Sequence, residues 1–175
     1  MLGVALIVAT VITISSTKNG FLQIADEQSS GADLIATSVA DQQIKTASFD
    51  VGNRSEIKDV IPFFGEDSYY ENGGTYHTLT LMAVDFKGES KCGGYKLISG
   101  NLPKNGECLI PESMETQYHL KAGDKLSVRT GNGSFSYKIS GAVQNSGIAT
   151  ENFGKCLLTD INKMNGYGAM TYKLC

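Results

Sequence analysis

Lys125–Val143 reads KLSVRTGNGSFSYKISGAV. Leu126 and Val128 alternate with Ser127 and Arg129, and Phe135, Tyr137 and Ile139 alternate with Ser136, Lys138 and Ser140. A period of two is the period of a β-strand, whose successive side chains point to opposite faces. Gly131-Asn132-Gly133 separates the two runs and suits a tight turn. The stretch therefore predicts a hairpin with one buried and one wet face.

The pattern continues on both sides. Upstream, Tyr95–Asn101 (YKLISGN) and Glu107–Ile110 (ECLI) read as short strands around a Leu102–Gly106 turn. Pro111–His119 (PESMETQYH) suits a short helix. Pro111 fits its first turn, and Glu112 and Glu115 lie near its positive end. Met114 and Tyr118 are four residues apart, on one face. Gly123-Asp124 turns the chain into the central hairpin. Downstream, a polar loop leads to a strand at Lys155–Thr159, a short helix at Ile161–Asn165 capped by Asp160, and a last strand at Met170–Cys175.

Nearer the start, Tyr69-Tyr70, Asn72-Gly73-Gly74 and Tyr76–Asp85 predict a second hairpin. His77, Leu79, Leu81 and Ala83 share one face of its second arm. Tyr76, Thr78, Thr80, Met82 and Val84 share the other. Val60–Phe64 reads as extended, and Pro62 argues for a sheet edge. Phe86–Gly94 reads as a loop, and Ala32–Ser38 as a short buried strand. The layout is α+β, with a hairpin-rich middle and no internal repeat.

The opening of the chain is different in kind. Met1–Thr17 carries no charge, and Leu2–Ile14 (LGVALIVATVITI) is apolar apart from Gly3, Thr10 and Thr13. A helix of that length covers roughly 20 Å, short of a hydrocarbon core about 30 Å thick. A signal peptide would need a basic start and a small-residue cleavage site, and neither is evident. A buried core helix would need one apolar face, yet this run is apolar all round. The reading that fits best is the outer half of a transmembrane helix, with Lys18 snorkelling at the interface. A thinner apolar stripe extends it to about residue 30, where Ser29-Ser30-Gly31 reads as a stop.

Composition narrows the function. Net charge is −3, and the fifteen Lys and Arg are scattered, which argues against a nucleic-acid surface. Cys92, Cys108, Cys156 and Cys175 form no C-x-x-C pair, so a zinc or thiol-redox motif is not indicated. Outside the cytoplasm they could form two disulfides; otherwise they are small buried hydrophobes. His77 and His119 lack neighbouring ligands at metal-site spacing. No G-x-S-x-G elbow occurs. Glu66-Asp67 and Asp26-Glu27 read as solvated charge, and Gly93-Gly94 and Gly131-Asn132-Gly133 as turns rather than phosphate loops. The expectation is no catalytic residue, no metal site and no cofactor. Phe63, Phe64, Tyr69, Tyr70 and Tyr76 form a loose aromatic group, read as hairpin packing or as a groove for lipid or peptide.

The order of the segments carries a resemblance. Leu97–Pro103 (LISGNLP), Gly106–Ser113 (GECLIPES) and His119–Leu126 (HLKAGDKL), followed by Tyr137–Val143 (YKISGAV), resemble the extracytoplasmic domain of FtsX-like ABC transporter permeases, the MacB-like periplasmic core domain. Met1–Thr17 is similar to the outer half of the family's first membrane helix. Gly31–Ile35, Val60-Ile61-Pro62, Met82–Asp85 and Cys156–Asp160 are similar to its successive strands.

The resemblance implies a discontinuous ferredoxin-like βαβ subdomain with an inserted β-rich subdomain. Residues 1–30 would be the membrane-helix end and its extension. Residues 31–94 and 146–175 would form the membrane-proximal subdomain, the second part incomplete, and 95–145 the insertion. It implies a cell-membrane location with the domain outside the cytoplasm, and lipid around residues 1–17. Implied partners are a second permease copy, cytoplasmic ABC ATPases, and a lipid, lipoprotein or peptide substrate, with no nucleic acid. ATP-driven movement would be transmitted outward to move that substrate or to signal, without covalent chemistry in this domain. The family domain runs on past residue 175, which implies a fragment or a truncated reading frame. Two alternatives stand beside this: a secreted or membrane-anchored binding or adhesion module, and a secreted hydrolase using His77 or His119.

Overall fold

The structure, a computed structural model, describes residues 34–37, 57, 59–163 and 171–174. The expected membrane-helix end at 1–30 and Cys175 lie outside the described residues. The elements in order are β1 (Leu34–Thr37), β2 (Val60–Asn72), β3 (Thr75–Val84), α1 (Phe86–Cys92), β4 (Leu97–Gly100) and β5 (Glu107–Pro111). There follow α2 (Glu112–Tyr118), β6 (Lys125–Thr130), β7 (Gly133–Val143), α3 (Glu151–Gly154), β8 (Cys156–Asp160) and β9 (Thr171–Leu174). The fold is mixed α+β, rich in sheet, with few and short helices.

The strands pair in the order β1-β9-β2-β3-β8-β5-β7-β4, and β6 pairs with both β7 and β2. The path β2-β3-β8-β5-β7-β6 therefore returns to β2 and closes on itself. Two of its joints are narrow: Leu109↔Leu158 between β5 and β8, and Tyr69↔Arg129 with Tyr70↔Val128 between β6 and β2. Closing the circuit covers strand edges that would otherwise present unpaired amides.

Strand alternation then sorts the core into two. Tyr70, Leu79, Leu81, Cys108, Ile110, Leu126, Val128, Tyr137, Ile139 and Leu157 form one buried cluster. Met82, Val84, Phe86, Leu109, Val143, Ile148, Ala149, Cys156 and Leu158 form the other. Cys108 and Ile110 flank Leu109 in sequence, and Leu157 lies between Cys156 and Leu158, so one strand serves both clusters. Each fully buried aliphatic side chain contributes about 1.5–3 kcal/mol relative to exposure. Met114 and Tyr118, the two α2 residues expected to share a face, both pack on the first cluster.

Both predicted hairpins form. Leu126 faces Tyr137 and Val128 faces Phe135 across β6 and β7. Asn72 faces Thr75 across β2 and β3, leaving Gly73 and Gly74 as a two-residue turn with φ of 60° and 80°. Positive φ at both central positions is the primed turn whose twist matches that of a hairpin. Asp160 caps as expected: its Oδ1 accepts from the Asn162 amide at 2.9 Å, opening a 3-10 turn at Ile161–Lys163.

One expectation needs correction, and another holds only locally. Phe86–Gly94 is not a loop; its first seven residues form α1. The Asp85 side chain accepts from the Lys87 amide, and Gly93 ends the helix in the left-handed conformation. Val60–Pro62 pair with β9 alone, as the edge reading of Pro62 expects, and β2 has neighbours on both sides only where the β3 ladder has begun. Pro62 is tolerated because the β3 ladder begins one residue later, at Phe63↔Val84, while Pro62 itself faces Tyr172 of β9.

Candidate functional site

The two histidines both lie beside Tyr118, His77 by ring contact and His119 as its neighbour in sequence. His77 faces Tyr70 across the hairpin. Its ring stacks on Tyr70 at 5.2 Å and meets Tyr118 at 5.0 Å, while Tyr70 and Tyr118 meet edge-on at 5.5 Å. Offset and edge-on contacts of this kind suit the ring quadrupoles. The Tyr70 hydroxyl is buried without a hydrogen-bond partner. Burial raises its pKa, and the Tyr118 phenol adds to the rise without completing a hydrogen bond of ordinary geometry. His119 follows Tyr118 as the left-handed residue ending α2. His77 is thus part of an aromatic packing unit and His119 part of a helix stop. Among the described residues no group of three or more His, Cys, Asp and Glu could hold a metal ion.

The cysteines divide. Cys108 and Cys156 are free thiols with no exposed surface, one in each core cluster. Burial, with a smaller contribution from the Glu107 charge, pushes the Cys108 thiol up to about 12. Burial and then the Glu151 charge raise Cys156 as well. Neither is a nucleophile at neutral pH, because the thiolate is the reactive form. Cys92, the last residue of α1, is half-buried and disulfide-bonded.

The aromatic group does not gather in one place. Tyr70 points into the first cluster and Phe63 packs on the second. Tyr69 and Tyr76 are exposed, and the Arg129 guanidinium lies 5.8 Å from the Tyr76 ring centre. Strand parity explains the split, since neighbours along β2 must face opposite ways. Asp67 is exposed, as a solvated charge should be. Glu66 departs from that reading: its Oε1 accepts from the Gly131 amide at 3.1 Å and ties β2 to the β6–β7 turn.

A cavity of about 440 Å³ lies beside the β4–β5 connection, lined among others by Asn101, Leu102, Lys104, Glu107, Lys138 and Ser140. Leu97 and Ile98 of β4, and Leu102 just beyond it, are large apolar residues left exposed. Sequence reasoning missed this feature. Its one signal was apolar residues in a strand too short to alternate.

The most telling geometry is a corner of the sheet. Leu34, the first residue of β1, is opposite Leu174, the last residue of β9, and Leu174 is also opposite Val60, the first residue of β2. The chain before Leu34 and the chain after Leu174 therefore meet the sheet at the same place. Asp59, just before β2, is ion-paired with Lys91 near the end of α1. That pair draws α1 to the same corner. The Lys91 ammonium holds the Asp59 carboxyl below the usual range, helped by the Val60 amide. Among the described residues no helix is long and apolar enough to cross a membrane.

Similarity to known proteins agrees with the sequence resemblance. No curated protein matches. Among solved structures, the periplasmic region of MacB from Actinobacillus actinomycetemcomitans is 17% identical, covering 81% of this chain and 66% of that one, with a TM-score of 0.49. A domain of a putative permease protein from Porphyromonas gingivalis is 14% identical over 70% of this chain and 58% of its own, with a TM-score of 0.46. The extracellular domain of the noncanonic ABC-type transporter YknZ from Gram-positive bacteria is 12% identical over 69% and 66%, with a TM-score of 0.48. The chain thus spans less than two thirds of the length of each. The family profile of the MacB-like periplasmic core domain matches residues 1–164, nearly the whole chain. This chain therefore belongs to the MacB-like periplasmic core domain family, the extracytoplasmic domain of FtsX-like ABC transporter permeases.

Proposed function

We propose that this domain is a non-catalytic mechanical element. It couples ATP hydrolysis by cytoplasmic ABC ATPases to movement or extraction of a lipid, lipoprotein or peptide, or to a signal across the membrane. The observation that carries the reading is the corner at which Leu34, Val60 and Leu174 lie side by side. A helix preceding β1 and a segment following β9 would both pull there. A displacement applied at that corner enters β2, which runs through thirteen residues to the far hairpin turn. Close-packed sheets transmit such displacement because their interiors compress little.

The subdomain division belongs to the same proposal. Strands from 31–94 and 146–175 are contiguous as β1-β9-β2-β3-β8, and strands from 95–145 are contiguous as β5-β7-β4, with β6 on β7. The two groups pair strand to strand only at the narrow β5–β8 and β2–β6 contacts, while side chains of both share the two core clusters. The contiguity of each group supports a ferredoxin-like membrane-proximal part and a β-rich insertion, and the shared core would pass displacement from one to the other. The permease would act as a dimer, with residues 1–17 in lipid.

The test uses the whole permease with its ATPase in proteoliposomes. A flexible Gly-Ser insert just before Leu34, outside both core clusters, should leave basal ATP hydrolysis intact and abolish its stimulation by substrate. The proposal fails if the permease with the insert keeps that stimulation. A gene with a single N-terminal span and no further membrane helices after residue 175 would instead favour the anchored binding module.

A further inference from the structure

The cavity beside the β4–β5 connection opens at a break in the sheet. β5 runs along one side of β7, from Lys138 to Val143. On the other side, β6 pairs with Gly133–Lys138 and β4 with Gly141–Val143. Ile139 and Ser140 lie in the notch between β6 and β4. The Ile139 amide donates there to the Asp124 carbonyl, and the Gly123 and Asn101 amides donate to the carbonyls of Ile139 and Ser140. The notch holds a cavity of about 440 Å³, within the range of about 300–1,000 Å³ usual for ligand sites.

Positive charge gathers at this notch. Lys104 and Lys138 line it, and Lys125, the first residue of β6, is directly opposite Lys138. Like charges directly opposite on neighbouring strands destabilise the pair. Glu107 faces Lys138 from β5, but its Oε2 accepts from the Lys104 amide at 3.0 Å. Asp124 Oδ2 accepts from the Lys121 amide at 2.9 Å. Among the described residues none of these lysines is ion-paired. Four lysines against two carboxylates leave an excess of two positive charges. Apolar surface adjoins the charge: Leu97, Ile98 and Leu102 are all exposed. Ile98 is the extra residue of a β-bulge, a device that re-aims a side chain at a sheet edge. Among the described residues β4 has one strand neighbour, β7, and all four of its residues are exposed. Its outer edge therefore offers backbone amides and carbonyls for pairing.

We propose that the notch and the outer edge of β4 bind an acidic peptide segment in extended form. The peptide adds a strand to β4, and its apolar side chains rest on Leu97, Ile98 and Leu102. One of its carboxylates enters the cavity lined by Lys104 and Lys138, where it offsets the repulsion between Lys138 and Lys125. Strand addition supplies main-chain hydrogen bonds, and the side-chain contacts supply selectivity. An anionic lipid would bring the charge but no backbone groups for the strand edge, so the edge and the lysines together favour a peptide. This binding site goes beyond the mechanical role and holds whether or not the domain transmits force.

The test is fluorescence anisotropy of the whole protein in detergent with a short labelled peptide alternating Val and Asp. A peptide alternating Val and Asn is the charge control. The Asp peptide should bind more tightly than the Asn peptide and weaken as salt rises. Lys104→Gln combined with Lys138→Gln should cut its affinity about fivefold, as the loss of two exposed charge contacts would. Lys87→Gln, on α1, should leave it unchanged. The double variant should melt no lower than the parent, since it no longer opposes two like charges; the comparison of Asp with Asn peptide on the parent protein stands without it. Amide hydrogen exchange over Leu97–Asn101 should slow when the Asp peptide binds. The inference is overturned if the two peptides bind alike, if neither binds, or if the double variant keeps the parent affinity. It is equally overturned if exchange over Leu97–Asn101 does not change on binding, or if short-chain phosphatidylglycerol binds through these lysines and the Asp peptide does not.

Discussion

Gly100 of β4 and Gly141 of β7 face each other with no room for a side chain on either. A Cβ on Gly141 would lie 2.2 Å from the Ser99 carbonyl oxygen, and one on Gly100 would lie 2.1 Å from that of Ser140. These contacts are with backbone, which cannot swing aside as a side chain can. Gly141→Ala should therefore force β4 away from β7 and cost about 1–3 kcal/mol. Gly131→Ala is the control, since a Cβ there meets only Glu66 Oε1 at 3.4 Å. Urea denaturation of the two variants checks this: the midpoint should fall for Gly141→Ala and stay near the parent value for Gly131→Ala.

Tyr70→Phe should not weaken the protein. The ring is buried against His77 and Tyr118, but its hydroxyl has no hydrogen-bond partner. An unsatisfied buried hydroxyl carries a desolvation penalty of about 1–3 kcal/mol. Removing it while keeping the ring should raise the unfolding free energy by about 1 kcal/mol. Tyr70→Ala, which also removes the packing, should lower it by about 3–5 kcal/mol. Thermal or urea unfolding of both variants decides the matter, and a loss of stability in Tyr70→Phe would mean that the hydroxyl is bonded after all.

Much of this fold was legible from local pattern, and the misreadings have physical causes. The β6–β7 hairpin announces itself because Leu126, Val128, Tyr137 and Ile139 alternate over a buried face. α1 was hidden because FKGESKC has no apolar stripe and contains a helix-weakening Gly88. Its caps, Asp85 and Gly93, were visible, but they outline a helix only when read together. Pro62 marked the one-sided start of β2, but its partner, Tyr172, lies far along the chain and left no local signal. The aromatic group was legible in part: parity alone separates Tyr69 from Tyr70. The sheet corner was not legible, because Leu34, Val60 and Leu174 meet only through long-range register.

The Asp59–Lys91 pair should make stability fall at both extremes of pH. The Asp59 carboxyl is held below its ordinary value, chiefly by the hydrogen bond from Lys91, so the unfolded chain binds its proton more readily than the folded one does. The pair's contribution is therefore complete above the unfolded carboxyl pKa of about 3.9, and is lost as pH falls through the lower folded value. Lys91 is raised by the same hydrogen bond, so on the alkaline side the contribution is lost as pH rises through the raised lysine value. Both side chains are partly exposed, which keeps the effect small and salt-sensitive. Asp59→Asn should lower the melting temperature slightly at pH 7, and the difference should shrink as pH falls below the ordinary carboxylate range. Melting curves of parent and variant across pH, at low and high salt, test the convergence.

Phe153 offers a substitution that should strengthen the fold. It has a φ of 56° and a ψ of 39°, directly after Asn152 in the same left-handed region, and its side chain is 95% exposed. Asparagine tolerates that conformation, whereas a bulky aromatic residue is an outlier there. The ring also buries almost nothing in compensation. The segment stays in place through other bonds: Ser113 Oγ donates to the Gly154 carbonyl at 2.9 Å, and the Lys155 amide to that of Asn152. Phe153→Asn should therefore relieve backbone strain without losing a core contact, raising the unfolding free energy by about 0.5–1 kcal/mol. Phe153→Gly should gain less, because glycine adds entropy to the unfolded chain. Denaturation curves that ranked parent above both variants would show that the exposed ring packs on something in the folded protein.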